Sequence, residues 1–389
     1  MKPKTMLFLV IILGIFIGIS FLIQQMQTPS VSETSRLGGA LLENLPVNDI
    51  AAVTINSEEG TVQLGKVEEQ WVVKSRYNFP VDFKKLIDFV KKLKDAKVGR
   101  TFKASEASLA RMQLLPQDKE GAEKDSKGVQ VRLEGAESNL IADIITGKVR
   151  ENESGASGGQ YIRMGDSDTV YLTDQNFKYM TKDAKGWLEK ELLDIKDEDI
   201  QKVIYTSWEG QKAYTVQREK KGEDPILVNV PEGRTSKKSE LTSLMGSLSS
   251  LRIDDVENPE DKQTEKTKLD KLTYFLFNGM VYTLYPEKKF KDNADVHCLR
   301  VEIAYQKPPE KEKPPTDLSE ATPVTDDKAP VEEKKDEKTP EELAFEAENN
   351  NKKMSKWTYI LPKWKYENFV TNIDELLEEI KEEAPEEAE

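Results

Sequence analysis

Cysteine and histidine are almost missing from this chain: its 389 residues include one of each, Cys298 and His297. A single cysteine excludes an internal disulfide framework and any Cys-rich zinc or iron–sulfur site, and a single histidine excludes a multi-His metal site. Basic charge is also in short supply. There are 57 Lys+Arg against 71 Asp+Glu, a net charge of −14, whereas a protein that coats nucleic acid needs a basic stripe. Aromatics make up 8% of the chain, few for a sugar-binding groove. No Gly-x-x-x-x-Gly-Lys-Ser/Thr occurs, so any ATPase working with this protein is another chain.

What is present begins with an apolar run. Thr5 to Ile23 holds nineteen residues without a charge, close to the roughly 20 that a helix needs to cross about 30 Å of hydrocarbon. Lys2 and Lys4 precede it, and residues 24–46 carry only Glu33, Arg36 and Glu43 as charges. The positive-inside bias puts the N-terminus in the cytoplasm and the remainder outside. A cleaved signal peptide has a shorter core of about 7–15 residues and a small-x-small cleavage site. The expectation is therefore an uncleaved signal anchor over 5–23, with a cytoplasmic tail at 1–4 and a linker at 24–46. A single span with no charge inside it forms no ion path of its own.

An internal repeat organises the rest. The segment Asp49–Gly60 aligns with Asp199–Gly210 at an offset of 150, with six of twelve positions identical. Each copy opens as a strand and a Gly-containing hairpin turn, and further apolar segments complete a three-stranded meander. A helix is expected next in each. In the first copy Phe83, Leu86, Ile87, Val90 and Leu93 recur at helical spacing behind Asp82 as N-cap; in the second Leu241, Leu244, Met245, Leu248 and Leu251 do the same. A short helix near 108–115 and strands near 129–133, 141–146, 161–164 and 170–172 continue the first copy. Strands near 273–277, 281–285 and 298–305 continue the second. Residues 307–340 contain seven prolines, many charges and no aromatic, a composition expected to be disordered. A closing helix is expected to carry Tyr366, Phe369, Val370, Ile373, Leu376, Leu377 and Ile380 on one face. The fold class expected is α+β: an N-terminal transmembrane helix, then two tandem repeats over 47–196 and 197–382, each a mostly antiparallel sheet with packed helices. Residues 383–389 form an acidic tail, and the acidic stretch Asp374–Glu389 is read as a solvated helix end or as a docking segment for a basic partner.

Candidate chemistry is sparse. His297 and Cys298 are adjacent in an expected strand, so their side chains point to opposite faces and make no catalytic pair. Asp194, Asp197, Glu198 and Asp199 are a dense acidic group without the Gly and distal Glu of a calcium loop. The glycines between 155 and 159 are followed by neither a Lys-Ser/Thr nor a helix, and read as a hairpin loop. Asn152-Glu153-Ser154 is a glycosylation sequon by pattern alone. The five tryptophans lie in or beside apolar runs and are expected in the core or at its edge. No catalytic residue, cofactor or metal site is assigned.

The arrangement of Val53-Thr54-Ile55, Trp71-Val72-Val73, Pro80-Val81-Asp82, Tyr161-Ile162-Arg163, Val170-Tyr171-Leu172 and Ile360-Leu361-Pro362 behind an anchor resembles an uncharacterised bacterial envelope family. That family is formally a domain of unknown function, often encoded beside gliding-motility-type ABC transporter subunits, and the resemblance covers about residues 47–380. It implies a non-catalytic auxiliary or scaffold subunit of an ABC-type transport or envelope complex. The chain would be held in the bacterial inner membrane with its bulk periplasmic, would have protein partners in that complex, and would bind no nucleic acid. The competing readings are a stand-alone envelope-binding module for peptidoglycan or polysaccharide, and an enzyme built on an acidic pair.

Overall fold

Period-two burial shapes the first strand. In β1 (Ala52–Ser57) Val53, Ile55 and Ser57 are buried and the residues between them half-buried, the signature of a strand with one face on a core. β2 (Gly60–Val67) returns antiparallel, with Ser57 opposite Gly60. β3 (Gln70–Val73) follows after the two-residue turn Glu68-Glu69, and both turn residues have positive φ, 48° and 64°. That conformation twists a tight hairpin correctly but suits Asn-Gly better than two glutamates. β4 (Phe79–Pro80) closes the meander. The helix expected next is α1 (Phe83–Asp95), with Leu86, Phe89, Val90 and Leu93 buried. Asp82 is its cap: Oδ1 accepts the Lys85 backbone N–H at 3.0 Å.

The computed structural model describes residues 38–151, 157–209, 213–308 and 338–380. These fall into two compact units. One comprises 38–47, Val90–Gln130 and Ala142–Lys178; the other comprises Asn48–Phe89, Val131–Ile141 and 179–380.

The first unit contains β5 (Val98–Lys103) and the short helix α2 (Glu106–Arg111). Beyond β6 (Val129–Glu134), whose last four residues belong to the other unit, come β7 (Leu140–Glu151), β8 (Ser157–Met164) and β9 (Thr169–Thr173). The strand order here is β7-β8-β9-β5, all antiparallel. Its core is Leu109, Leu114, Leu115, Ile145 and Val170. Gly147 has no room for a side chain, because a Cβ there would run into the Met112 carbonyl.

The second unit holds the meander in the order β4-β3-β2-β1-β6. It also holds β10 (Glu191–Leu193), β11 (Ile200–Thr206), β12 (Ala213–Gln217), β13 (Ile226–Leu227), β14 (Arg234–Ser236), α3 (Lys238–Met245), β15 (Leu251–Arg252), β16 (Asp255–Val256) and β17 (Lys271–Leu276). The chain continues through β18 (Met280–Lys291), β19 (Ala294–Tyr305), α4 (Pro340–Met354), β20 (Tyr359–Ile360), α5 (Lys363–Tyr366) and β21 (Leu377–Glu379). Eight of these strands form one sheet in the order β13-β12-β11-β17-β18-β19-β20-β16, while β10-β15 and β14-β21 are separate pairs. The strand orders contain two parallel series. β13-β12-β11-β17 corresponds to β3-β2-β1-β6, and β18-β19-β20-β16 to β7-β8-β9-β5. A turn at 165–168 joins β8 to β9, and residues 306–358 occupy the corresponding place between β19 and β20.

The expected class is corrected. The described residues are mostly antiparallel sheet with few helices, rather than the expected α+β arrangement of sheets with packed helices. Among the described residues no helix is long and apolar enough to cross a membrane, and the expected span Thr5–Ile23 with Lys2 and Lys4 lies outside them. So do the sequon 152–154, most of the 307–340 segment and the acidic tail 383–389. Two apolar stripes with helical spacing prove discontinuous. α3 ends at Met245, and Leu248 and Leu251 follow in a 3₁₀ turn and in β15. The closing stripe is α5, two 3₁₀ turns and β21, because the β-branched Val370-Thr371 step leaves the helix and Asn372 caps a new turn. α4 starts at the end of the Pro-rich segment. Its Thr339–Glu342 capping box and Pro340 in the first turn fix the start, and Asn351 Oδ1 accepts the Ile303 N–H of β19 at 3.0 Å.

Candidate functional site

The residues with most chemical potential lie on the outer face of β18 and β19. Alternation puts Tyr285, Glu287 and Lys289 on one side of β18, and the register sets Arg300 opposite Tyr285 and Cys298 opposite Glu287. Residues 257–266 supply their partners. Lys289 Nζ lies 2.7 Å from Glu257 Oε2 and 3.6 Å from Glu287 Oε2. Thr264 donates to Glu287 Oε1 at 2.5 Å, and Arg300 donates to the Thr264 carbonyl at 2.7 Å and to Gln263 at 3.2 Å. Glu302 closes the cluster with Lys266 at 2.5 Å and the Tyr285 hydroxyl at 2.8 Å.

Burial alone would neutralise several of these groups, and their partners decide the outcome. Burial works against the Lys289 ammonium, yet the hydrogen bond and charge of Glu257 raise its pKa overall. Burial also opposes the Glu302 carboxylate, while Lys266 and Tyr285 pull its pKa below the usual value. Cys298 has no such rescue. Burial, then the Glu257 charge, pushes its thiol up to about 12. The cluster is a set of ion pairs and hydrogen bonds around a protonated thiol, which is a poor nucleophile, with Glu287 Oε2 and Arg300 Nε left without a hydrogen-bond partner among the described residues. His297, on the opposite side of β19, packs against the Tyr366 ring with centroids 4.9 Å apart. The two residues that could have formed a Cys–His pair therefore diverge.

The acidic group at 194–199 is held by protein partners. Asp194 accepts the Ser250 N–H at 2.9 Å, Asp197 lies 3.7 Å from Arg218, and Lys221 sits 2.5 Å from Asp199 and 3.9 Å from Glu198. No group of three or more potential metal ligands occurs among the described residues. Tryptophan placement is mixed. Trp187 and Trp357 are buried, the former donating from Nε1 to the Thr181 carbonyl. Trp208 in the turn after β11 and Trp364 in α5 are 58% and 66% exposed, so the expectation of core or edge placement fails for these two.

A cavity of about 310 Å³ opens at one end of the eight-stranded sheet. Its lining includes Lys202, Gln217, Arg218, Phe275, Val281 and Lys307. Four of these form a row across neighbouring strands, since Lys202 pairs with both Gln217 and Phe275, and Phe275 with Val281. Lys202 Nζ stands 4.5 Å over the Phe275 ring. Arg218 is buried, and its Nε has no hydrogen-bond partner among the described residues. Sequence reasoning missed this arginine because nothing in a single chain marks one arginine as buried. The outer-face cluster did carry a signal, since the β18 alternation runs from Val281, Thr283 and Tyr285 straight into Glu287 and Lys289.

Residues 71–271 match the family model described as Domain of unknown function (DUF4340). The chain belongs to this family. The DUF4340 match covers slightly more than half of the chain and runs from within β3 to the start of β17, a shorter stretch than the resemblance over 47–380. No curated protein and no solved structure matches the chain.

Proposed function

We propose that the protein is a non-catalytic auxiliary or scaffold subunit of an ABC-type transport or envelope complex. It acts at the outer face of the bacterial cytoplasmic membrane, with protein partners and without nucleic acid. The observation that carries this reading is a set of exposed aromatics: Trp208, Phe290, Phe345 and Trp364 are each more than half exposed. Large aromatics left in water are what protein interfaces use as anchors. The ion pairs beside Cys298, Lys289 with Glu257 and Lys266 with Glu302, fit the same reading, because they serve the fold.

The test is purification of the tagged full-length protein from its native membrane in mild detergent, with mass spectrometry of what accompanies it. A permease and an ATPase at comparable abundance are expected, and Trp364→Ala together with Phe345→Ala should reduce both without lowering the level of the protein. Recovery of the protein alone, under conditions that keep a control complex intact, would sink the proposal.

A further inference from the structure

We propose that the C-terminal end of α1 docks on the phosphates of an anionic phospholipid bilayer through Lys91, Lys92, Lys94 and Lys97. This rests on the membrane location proposed above. Residues 91–103 hold six basic residues and one acidic residue, Asp95, in a chain of net charge −14. Lys91, Lys92, Lys94 and Lys97 are all exposed, and among the described residues none of their ammonium groups makes an ion pair. Clusters of about four to eight lysines on an amphipathic helix attract anionic lipid, with roughly a fivefold gain in affinity per lysine.

The fold gathers these side chains at one end of the helix. Val90 and Leu93 are buried and hold the apolar face of the last turns inward, so Lys91 and Lys94, neighbours at a three-residue spacing, stand outside. Lys92 Nζ lies 5.4 Å over the Phe177 ring, and the Lys97 N–H donates to Asp174 Oδ1 at 2.8 Å. Residues 174–177 therefore line the same end of the helix. Asp95 and Asp174 are the acids facing the four lysines, and positive charge is left in surplus. The helix dipole favours cations in the last turn, which accounts for Lys92 and Lys94 but not for Lys91 or for Lys97 beyond the helix.

The occupant follows from where the chain enters this unit. The Gly38 N–H donates to the Val98 carbonyl at 2.8 Å, and the Leu41 N–H to the Ala96 carbonyl at 2.7 Å, so the entry point lies beside Lys97. The uncharged run Thr5–Ile23 ends fifteen positions before Gly38. Lipid contact by that run holds the patch within about 50 Å of a bilayer, since about fifteen extended residues reach no further.

The experiment uses the full-length protein reconstituted into vesicles of phosphatidylcholine alone or with about one third phosphatidylglycerol. Chemical acetylation, read by mass spectrometry, reports the access to each lysine. In low salt Lys91, Lys92, Lys94 and Lys97 should react at least about threefold more slowly on the anionic vesicles than on the neutral ones, whereas the exposed Lys262 and Lys353 should not change. Salt at about 0.5 M, which screens exposed charges within a few ångströms, should abolish the difference. Combining Lys91→Gln, Lys94→Gln and Lys97→Gln should bring Lys92 to the same rate on both vesicles. If that variant does not fold, the salt test decides. Equal rates on the two vesicles, protection that persists in salt, or a Lys92 still protected in the folded variant would overturn the proposal. Flotation separates it from the membrane location. If the protein does not float with neutral vesicles, that location fails, and flotation with the anionic ones then decides the docking: retention there supports it, and absence from both overturns it.

Discussion

Arg76 Nε donates to Asp255 Oδ1 at 3.0 Å, joining the turn after β3 to β16 across 179 positions of sequence. Both side chains are largely buried, 25% and 14% exposed. Lys185 stands 3.8 Å from the other oxygen of Asp255. Removing Arg76 leaves Asp255 with that longer ionic contact and the Val256 N–H at 3.0 Å, and largely buried carboxylates that lose a hydrogen-bonded cation cost about 1–3 kcal/mol. Arg76→Ala should therefore lower the urea midpoint at unchanged slope. Arg76→Ala combined with Asp255→Ala should cost less than the sum of the two single changes. Strict additivity would mean that the contact contributes nothing.

The turn between β2 and β3 holds a second, opposite expectation. Glu68 and Glu69 both occupy the left-handed region, with φ of 48° and 64°, which costs residues with a side chain of this kind free energy that Asn-Gly avoids. Glu68→Asn with Glu69→Gly should stabilise the protein by about 1 kcal/mol. Denaturant unfolding checks this, and a lower midpoint would show that the turn does not take this conformation.

Single elements were legible in the sequence, but the fold class was not. The alternation in β1 and the Asp82 cap have strong local causes. The losses have physical reasons. Strands of two residues, such as β4, β13 and β20, are too short to display a period. In the closing segment Phe369, Leu376 and Leu377 are buried, as the apolar spacing suggested, but they reach the core from a 3₁₀ turn and a strand. Leu377 pairs with Ser236, a partner far away in sequence. Burial survives a wrong assignment of element because it follows hydrophobicity, whereas element type followed a pairing that no local window contains. The same limit hid Arg218, whose burial no local window shows.

The Cys298 thiol offers a chemical probe of the outer-face cluster. Its pKa rises from 9.0 to about 12, through burial first and the Glu257 charge second. Alkylation at mildly alkaline pH should therefore be slow in the folded protein and should track unfolding as urea is added. A folded-state pKa above the unfolded one means stability that is complete below about pH 9 and is lost as pH rises toward 12. Cys298→Ser should remove that part of the alkaline loss. Rapid labelling of the native protein at neutral pH would contradict the buried placement.

Glu302 makes the acid-side counterpart. Lys266 and Tyr285 outweigh burial and hold its pKa below the usual carboxylate value. A depressed folded-state pKa means stability that is present above the unfolded value and lost as pH falls through the folded one. Glu302→Gln keeps the shape but cannot ionise, so it should lower stability at neutral pH and flatten the decline on the acid side. Thermal melts of parent and variant from neutral to acid pH would show two curves converging as the pH drops. Parallel curves would mean that the ion pair with Lys266, half exposed as it is, is fully screened by solvent, and that the cluster draws its strength from Arg300 and Lys289 instead.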